Sequence, residues 1–208
     1  MITLYHLDQS RSERIIWLME ELGIEYRLEV FLRQPDLYAP EALKAALPLG
    51  RAPAIRDGDV LLAESGAIVE YLIARHGQGR LAVPKEAAEF PHYLYWLHYA
   101  EGSLMLQLLR EWSLDRMLPD AAAHPGMARV RAATRTNLDA VEARLREVPY
   151  FAGPAFTAAD IMMAYPFTTF RRICPVDLAP FGAIRDYVAR LEQRPAFQTA
   201  TRRLAAGA

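Results

Sequence analysis

Hydroxyl groups cluster near the start of the chain, in Tyr5-His6-Leu7-Asp8-Gln9-Ser10-Arg11-Ser12. Ser10 falls between a β-rich run and the first helical pattern. There it offers a hydroxyl donor and the positive end of a helix, and both favour an anion set against them. Either Ser10 or Ser12 also suits a helix N-cap. Ser12, two residues on, is expected to face elsewhere, and Tyr5 sits in the strand. Farther along, Arg51 carries a planar fork suited to a carboxylate. Ala52-Pro53 opens a strand, where an X-Pro bond can be cis, although a proline is also tolerated at a strand start. Glu64-Ser65 stands where a hairpin ends and a helix begins. Ser65 brings a hydroxyl and a free N–H that attract a carboxylate, beyond serving as a plain N-cap. Glu64 can accept from an ammonium.

Other polar residues read as structural. Thr157-Ala158-Ala159-Asp160 has the spacing of a capping box, with Asp in place of the usual Glu. The single cysteine, Cys174, excludes an intrachain disulfide and any Cys-x-x-Cys motif, and suits a small buried apolar position. The five histidines form no helical i, i+4 pair, so no metal is expected.

The elements that must position these residues differ between the two halves. In the first, Ile2–His6 reads as a strand, followed by Ile15, Leu18, Met19 and Leu22 at helical spacing up to Gly23. A second strand spans 25–31, a short helix 40–46, and two strands at 52–56 and 60–63 flank the hairpin turn Asp57-Gly58-Asp59. A helix over 65–75 completes the order β-α-β-α-β-β-α, which fits a helix-covered mixed sheet. The second half reads as helices at 90–112, 125–147, 157–170, 181–192 and 195–204. The aromatics Tyr93, Trp96 and Tyr99 recur every three residues along the first of these. The expected division is 1–78, a turn-rich linker at 79–88, and 89–208.

The charge balance separates the same halves. Residues 1–78 carry 8 Lys+Arg against 12 Asp+Glu, and residues 79–208 carry 16 against 13. Over the whole 208 residues the net charge is −1, which argues against nucleic acid or an anionic membrane surface as partner. No apolar run is long enough to span a bilayer. The polar turn after seven residues does not resemble a signal peptide, so a cytoplasmic location is expected.

Four segments, in this order and spacing, resemble the cytosolic glutathione transferase superfamily. They are Ser10–Leu22, Pro48–Ile55 (PLGRAPAI), Glu64–Leu72 (ESGAIVEYL) and Phe156–Ile161 (FTAADI). His98–Met105 (HYAEGSLM) is similar to the yeast-type branch found in fungi and bacteria. The resemblance implies an α/β thioredoxin-like N-terminal domain, an all-α C-terminal bundle and a homodimer. It implies glutathione as co-substrate, held by Arg51, Ala52, Pro53, Glu64 and Ser65, with Ala52 pairing to the cysteinyl backbone like an added strand.

On the same resemblance, Ser10 is the hydroxyl that favours thiolate, as in serine-type branches, with Tyr5 and Ser12 as alternatives. A hydrophobic electrophile would meet some of Tyr99, Ser103, Met105, Leu106 and Tyr165. One departure is Ala46-Leu47, where relatives often place a polar residue before Pro-Leu-Gly; a contact to the glycine carboxylate is missing there. Three activities therefore stay open: transfer of a group to glutathione, glutathione-dependent peroxide or disulfide reduction, and a non-catalytic glutathione-fold binding module.

Overall fold

A computed structural model describes residues 1–206, which form two compact units. One comprises Met1–Ala82 together with the segment from Leu191 onward, and the other is Val83–Arg190.

In the first unit the strands are β1 (Ile2–Leu7), β2 (Tyr26–Phe31), β3 (Ala54–Asp57) and β4 (Val60–Ala63). They form one sheet in the order β2-β1-β3-β4. β1 and β2 run parallel, while β3 is antiparallel to both β1 and β4. The helices are α1 (Ser12–Leu22), α2 (Glu41–Ala46) and α3 (Ser65–Arg75), so the expected β-α-β-α-β-β-α order is observed.

Alternation along β1 divides the core. Tyr5 and Leu7 join Leu43, Leu47 and Ala54 in a cluster under α2. Ile2, Leu4 and His6 fall on the opposite pleat and are also buried. α1 is buried around most of its circumference because it packs on β1, α3 and the last helix, α10 (Pro195–Ala206). It ends at Gly23, whose φ of 65° is the left-handed conformation glycine adopts freely at a helix C-terminus.

α10 returns to the first unit, although the sequence division at 79–88 grouped it with the later helices. Arg194 grips Glu21 through two bonds of 2.7 and 2.8 Å. The Phe197 ring meets Trp17 edge-on at 5.0 Å. Arg203 contacts Glu20 at 2.8 Å.

The second unit is helical throughout, as expected. α4 (Phe90–Tyr99) passes through a π-helical turn at Ala100–Met105 into α5 (Leu106–Met117). The expected single helix over 90–112 is therefore a longer run with a widened turn in it. α6 (Pro125–Glu147) is followed by α7 (Ala158–Ala164). The sequence pattern carried α7 on to 170, but Pro166 falls in a 3₁₀ turn, Tyr165–Phe167, and helix resumes only as α8 (Phe170–Ile173). α9 (Gly182–Glu192) completes the bundle. Phe151 packs between Trp96, tilted at 43° with centroids 4.8 Å apart, and Tyr187, edge-on with centroids 5.1 Å apart.

Among the described residues, no helix is long and apolar enough to cross a membrane. No cluster of three or more His, Cys, Asp or Glu is arranged to hold a metal among those residues.

Candidate functional site

Sheet register brings distant stretches of the first unit together. Tyr5 pairs with Ala54, and Ala54 pairs with Ala63. One step beyond that row lie Pro53 on one strand and Glu64 on the next, while β1 runs on towards the Ser10 loop. The ends of β1 and β4 and the start of β3 therefore meet at one end of the sheet. Residues 10, 51–53 and 64–65 share that end although they span 56 positions of sequence.

Local backbone sets the details there. The Ala52–Pro53 peptide is cis. Just upstream, Gly50 has φ +57°, and a Cβ on it would meet Lys44 Cγ at 2.8 Å, so the tight turn into Arg51 needs glycine. Glu64 has φ 70°, a conformation that a non-glycine residue holds only when its surroundings impose it. Its carbonyl receives the Ile68 N–H at 2.9 Å and starts α3. Ser65 is the first residue of α3 and is buried, where the leading N–H groups have no acceptor inside the helix. Arg51 and Glu64 are exposed. Leu47 is buried in the α2 cluster, which leaves no polar group at that point of the loop.

The hydroxyls at the end of β1 are arranged differently from expectation. Arg11, in helical conformation, occupies the N-cap of α1, and no side chain caps there. Ser10 and Ser12 bond each other instead, Oγ to Oγ at 2.6 Å. Ser12 does not face elsewhere. Its Oγ lies 2.7 Å from His6 Nδ1 and donates to the Leu7 carbonyl at 3.2 Å, while its own N–H reaches Ser10 Oγ at 3.3 Å.

All three side chains are buried, with relative exposures of 4% for His6, 5% for Ser10 and 0% for Ser12. Burial disfavours a charged imidazole and lowers the His6 pKa to about 4, against the opposing pull of Asp8. Tyr5 lies on the other pleat, and its hydroxyl accepts from Arg56 Nε at 3.3 Å. Arg56 is two residues past Ala54 along β3, on the side away from Pro53.

His6 was missed as part of this group because a lone histidine in a strand carries no signal beyond burial. Alternation puts His6 on the pleat opposite Tyr5, but which pleat faces α1 is set only by the fold.

Two family models match the chain: glutathione S-transferase, N-terminal domain, over residues 4–80, and glutathione S-transferase, C-terminal domain, over 125–190. "Glutathione S-transferase 3" of Schizosaccharomyces pombe is 33% identical, over 98% of this chain and 88% of its own length. The chain belongs to the glutathione S-transferase family. A solved glutathione S-transferase from Actinobacillus pleuropneumoniae superposes with a TM-score of 0.88 at 31% identity, covering 99% of this chain and 93% of that one. A further relative, 29% identical over 94% of this chain and 92% of its own, is the disulfide-bond oxidoreductase YfcG of Escherichia coli K12.

In this transferase-family chain the five residues proposed to meet an electrophile lie in the helical unit and differ in burial. Tyr99 is half-buried and donates to Asn137 Oδ1 at 2.6 Å. Met105 and Tyr165 are buried in the core, whereas Leu106, one residue on from Met105, is 63% exposed. Ser103 is half-buried in the π-helical turn. None of the five lines the cavity of about 240 Å³ bounded by Leu108, Glu111, Thr134, Cys174 and Phe181. Cys174 is buried, and its thiol is pushed up to about 11 by burial, with Glu111 and Asp115 adding to the effect.

Proposed function

We propose that this chain is a glutathione transferase that lowers the pKa of the glutathione thiol and directs the thiolate at a hydrophobic electrophile. The observation that carries this reading is the common sheet end shared by Ser10, Arg51–Pro53 and Glu64–Ser65. In it, the Ala52 backbone pairs with the cysteinyl unit as an added strand. Glu64 accepts from the γ-glutamyl ammonium, and Ser65 at the start of α3 receives its carboxylate. Arg51 meets the glycine carboxylate. The Ser10 hydroxyl, beside the N-terminus of α1, donates to sulfur.

A free thiol near pKa 8.5 is mostly protonated at neutral pH, so a hydrogen bond to the charged form and the positive helix end both shift it towards thiolate. The protein forms no covalent bond itself; binding and orientation supply the rest of the rate. Tyr5 fits this role less well, because its hydroxyl bonds Arg56.

A second reading, glutathione-dependent disulfide reduction, draws on the similarity to the E. coli oxidoreductase. It would run on two glutathione molecules rather than a protein thiol, since Cys174 is buried in the helical unit with its pKa raised. The chain is further expected to pair as a homodimer, with a light-scattering mass of twice 23.5 kDa. A monomer mass at micromolar concentration would refute that pairing.

The deciding experiment is calorimetric titration with glutathione, with thiolate absorbance followed across pH. Binding with a lowered thiol pKa supports the transferase. Binding without the shift removes its mechanism, and no binding at millimolar glutathione leaves the partner-binding module.

A further inference from the structure

Hydrogen-bond bookkeeping at the end of β1 leads beyond Ser10 alone. Ser12 Oγ has one proton and three neighbours: Ser10 Oγ at 2.6 Å, His6 Nδ1 at 2.7 Å and the Leu7 carbonyl at 3.2 Å. A carbonyl only accepts. Suppose Ser12 donates to Leu7. Then His6 Nδ1 and Ser10 must both donate to Ser12, and the Ser10 proton is turned inward. Suppose instead that Ser12 donates to an unprotonated Nδ1. Ser10 must again donate inward. Only when Ser12 donates to Ser10 Oγ is the Ser10 proton released. That arrangement requires the proton of the imidazole on Nδ1, giving to Ser12.

The first and third arrangements share this tautomer. They interconvert by rotating two hydroxyls, exchanging the longest of the three contacts for a bond from Ser10 to sulfur. No proton changes owner within the chain, and the thiol proton leaves to solvent.

We propose that His6 and Ser12 are positioning residues for Ser10: His6 Nδ1–H holds the Ser12 hydroxyl so that it can donate to Ser10 Oγ and free the Ser10 proton for the glutathione sulfur. This inference rests on the assignment of Ser10 made above. Burial supports it in two ways. No water competes for the Ser12 hydroxyl, which is fully enclosed. The depressed basicity of His6 keeps the ring neutral, so the chain of bonds carries no buried charge at working pH.

The test is the pKa of enzyme-bound glutathione, read from thiolate absorbance, together with kcat and KM. The set is the unchanged protein, Ser10→Ala, Ser12→Ala, His6→Leu and His6→Asn. Ser10→Ala should raise the thiol pKa by about one pH unit or more and lower kcat by about 10- to 100-fold, the loss of one hydrogen bond to a charged group. Ser12→Ala and His6→Leu should move both quantities in the same direction by smaller amounts. The kcat loss should be about 3- to 10-fold, with the KM for glutathione within about twofold, as for a weakened neutral hydrogen bond.

His6→Asn keeps an N–H donor beside Cβ and should restore most of the loss. Ser10→Ala combined with Ser12→Ala should be no worse than Ser10→Ala alone, because the two act in series. If Ser10→Ala shifts the thiol while Ser12→Ala and His6→Leu do not, the positioning role is overturned and the Ser10 assignment stands. If Ser10→Ala shifts nothing, the assignment itself falls and takes the inference with it. Should Ser12→Ala fail to fold, the contrast between His6→Leu and His6→Asn decides alone: equal behaviour of the two overturns the proposal.

Discussion

Each unit of the molecule holds a buried polar cluster at the start of a helix, and the two are built on opposite principles. At α7 a single carboxylate serves several donors. Asp160 Oδ2 accepts from the Thr157 N–H at 2.8 Å and the Thr157 hydroxyl at 3.1 Å. Its Oδ1 accepts from the Phe151 N–H at 2.9 Å and the Tyr187 hydroxyl at 3.2 Å. Every bond there runs one way, from N–H or O–H to an oxygen that only accepts, and the Tyr187 hydroxyl also reaches the Asp160 carbonyl at 3.2 Å. At α1 two hydroxyls and an imidazole share their protons among themselves, and at least three assignments satisfy the two short contacts. A cluster whose bonds cannot reverse direction fixes a structure. One with several near-equal solutions can be redirected by a ligand. Burial alone therefore does not separate scaffold from machinery; whether the bonds can reverse direction does.

The largest effect that would break this contrast is on stability at α7. Asp160→Ala strands two backbone N–H groups and the Thr157 hydroxyl in a closed core, while the Tyr187 hydroxyl keeps the backbone carbonyl of residue 160. At about 1–3 kcal/mol for each donor left without a partner, and with partial relaxation, the loss should be about 4 kcal/mol. That is a large share of the roughly 5–15 kcal/mol that holds a domain folded. Urea unfolding measures it. A loss below about 1 kcal/mol would mean that the α7 cluster can rearrange as freely as the α1 cluster.

The two clusters also oppose each other in pH. His6 titrates at about 4 in the fold against an ordinary 6.5. Between those values the unfolded chain holds more protons, so the His6 contribution to stability rises with pH. Asp160 titrates at about 6 against an ordinary 3.8, because burial outweighs its hydrogen bonds. Between those values the folded chain holds more protons, so its contribution falls as pH rises. Removing each group should expose the other's slope. The stability cost of His6→Leu should shrink as pH is lowered from 6.5 towards 4, and that of Asp160→Asn should grow as pH is lowered from 6 towards 4. Each should change by up to about 1.4 kcal/mol per pH unit. Denaturant midpoints across this range provide the check; costs that move in the same direction for both variants would contradict it.

The asymmetry between the clusters also explains what was legible in the sequence. Thr157-Ala158-Ala159-Asp160 announces itself because a capping box lies within one turn of chain, and the interaction is local. The strand and helix order was legible for the same reason: Gly23, the Asp57-Gly58 turn and the apolar spacings act over short stretches. The common sheet end was within reach once β3 was read as a hairpin strand, since pairing β1 with β3 brings Pro53 beside the end of β1. His6 and Ser12 were not legible as partners. Their contact depends on which pleat of β1 faces α1 and on how the loop 8–11 turns, and neither leaves a periodic trace. The return of α10 to α1 was hidden because the Glu21–Arg194 pair spans 173 positions. The π-helical turn in the 90–117 run was equally hidden, because no proline or glycine pair marks it as proline marks the end of α7.

The smallest predicted effect is the sharpest comparison, because it removes one hydroxyl from each cluster. Thr157→Ala deletes a donor to Asp160 Oδ2, which keeps the Thr157 N–H as a partner. Ser12→Ala deletes the link between His6 and Ser10. Both should cost about 1 kcal/mol of stability, the usual net worth of one intramolecular hydrogen bond or cap. Only one should change turnover. Thr157→Ala should leave kcat and the pH profile of turnover as they were, since a cap whose bonds cannot reverse direction transmits nothing by losing one member. Ser12→Ala should displace that profile to higher pH, because Ser10 Oγ loses the hydrogen bond that orients and polarises its own O–H towards sulfur. Matched melting curves with divergent pH profiles are the expected pair of results. Parallel losses of turnover in both variants would reduce the α1 cluster to a second structural cap.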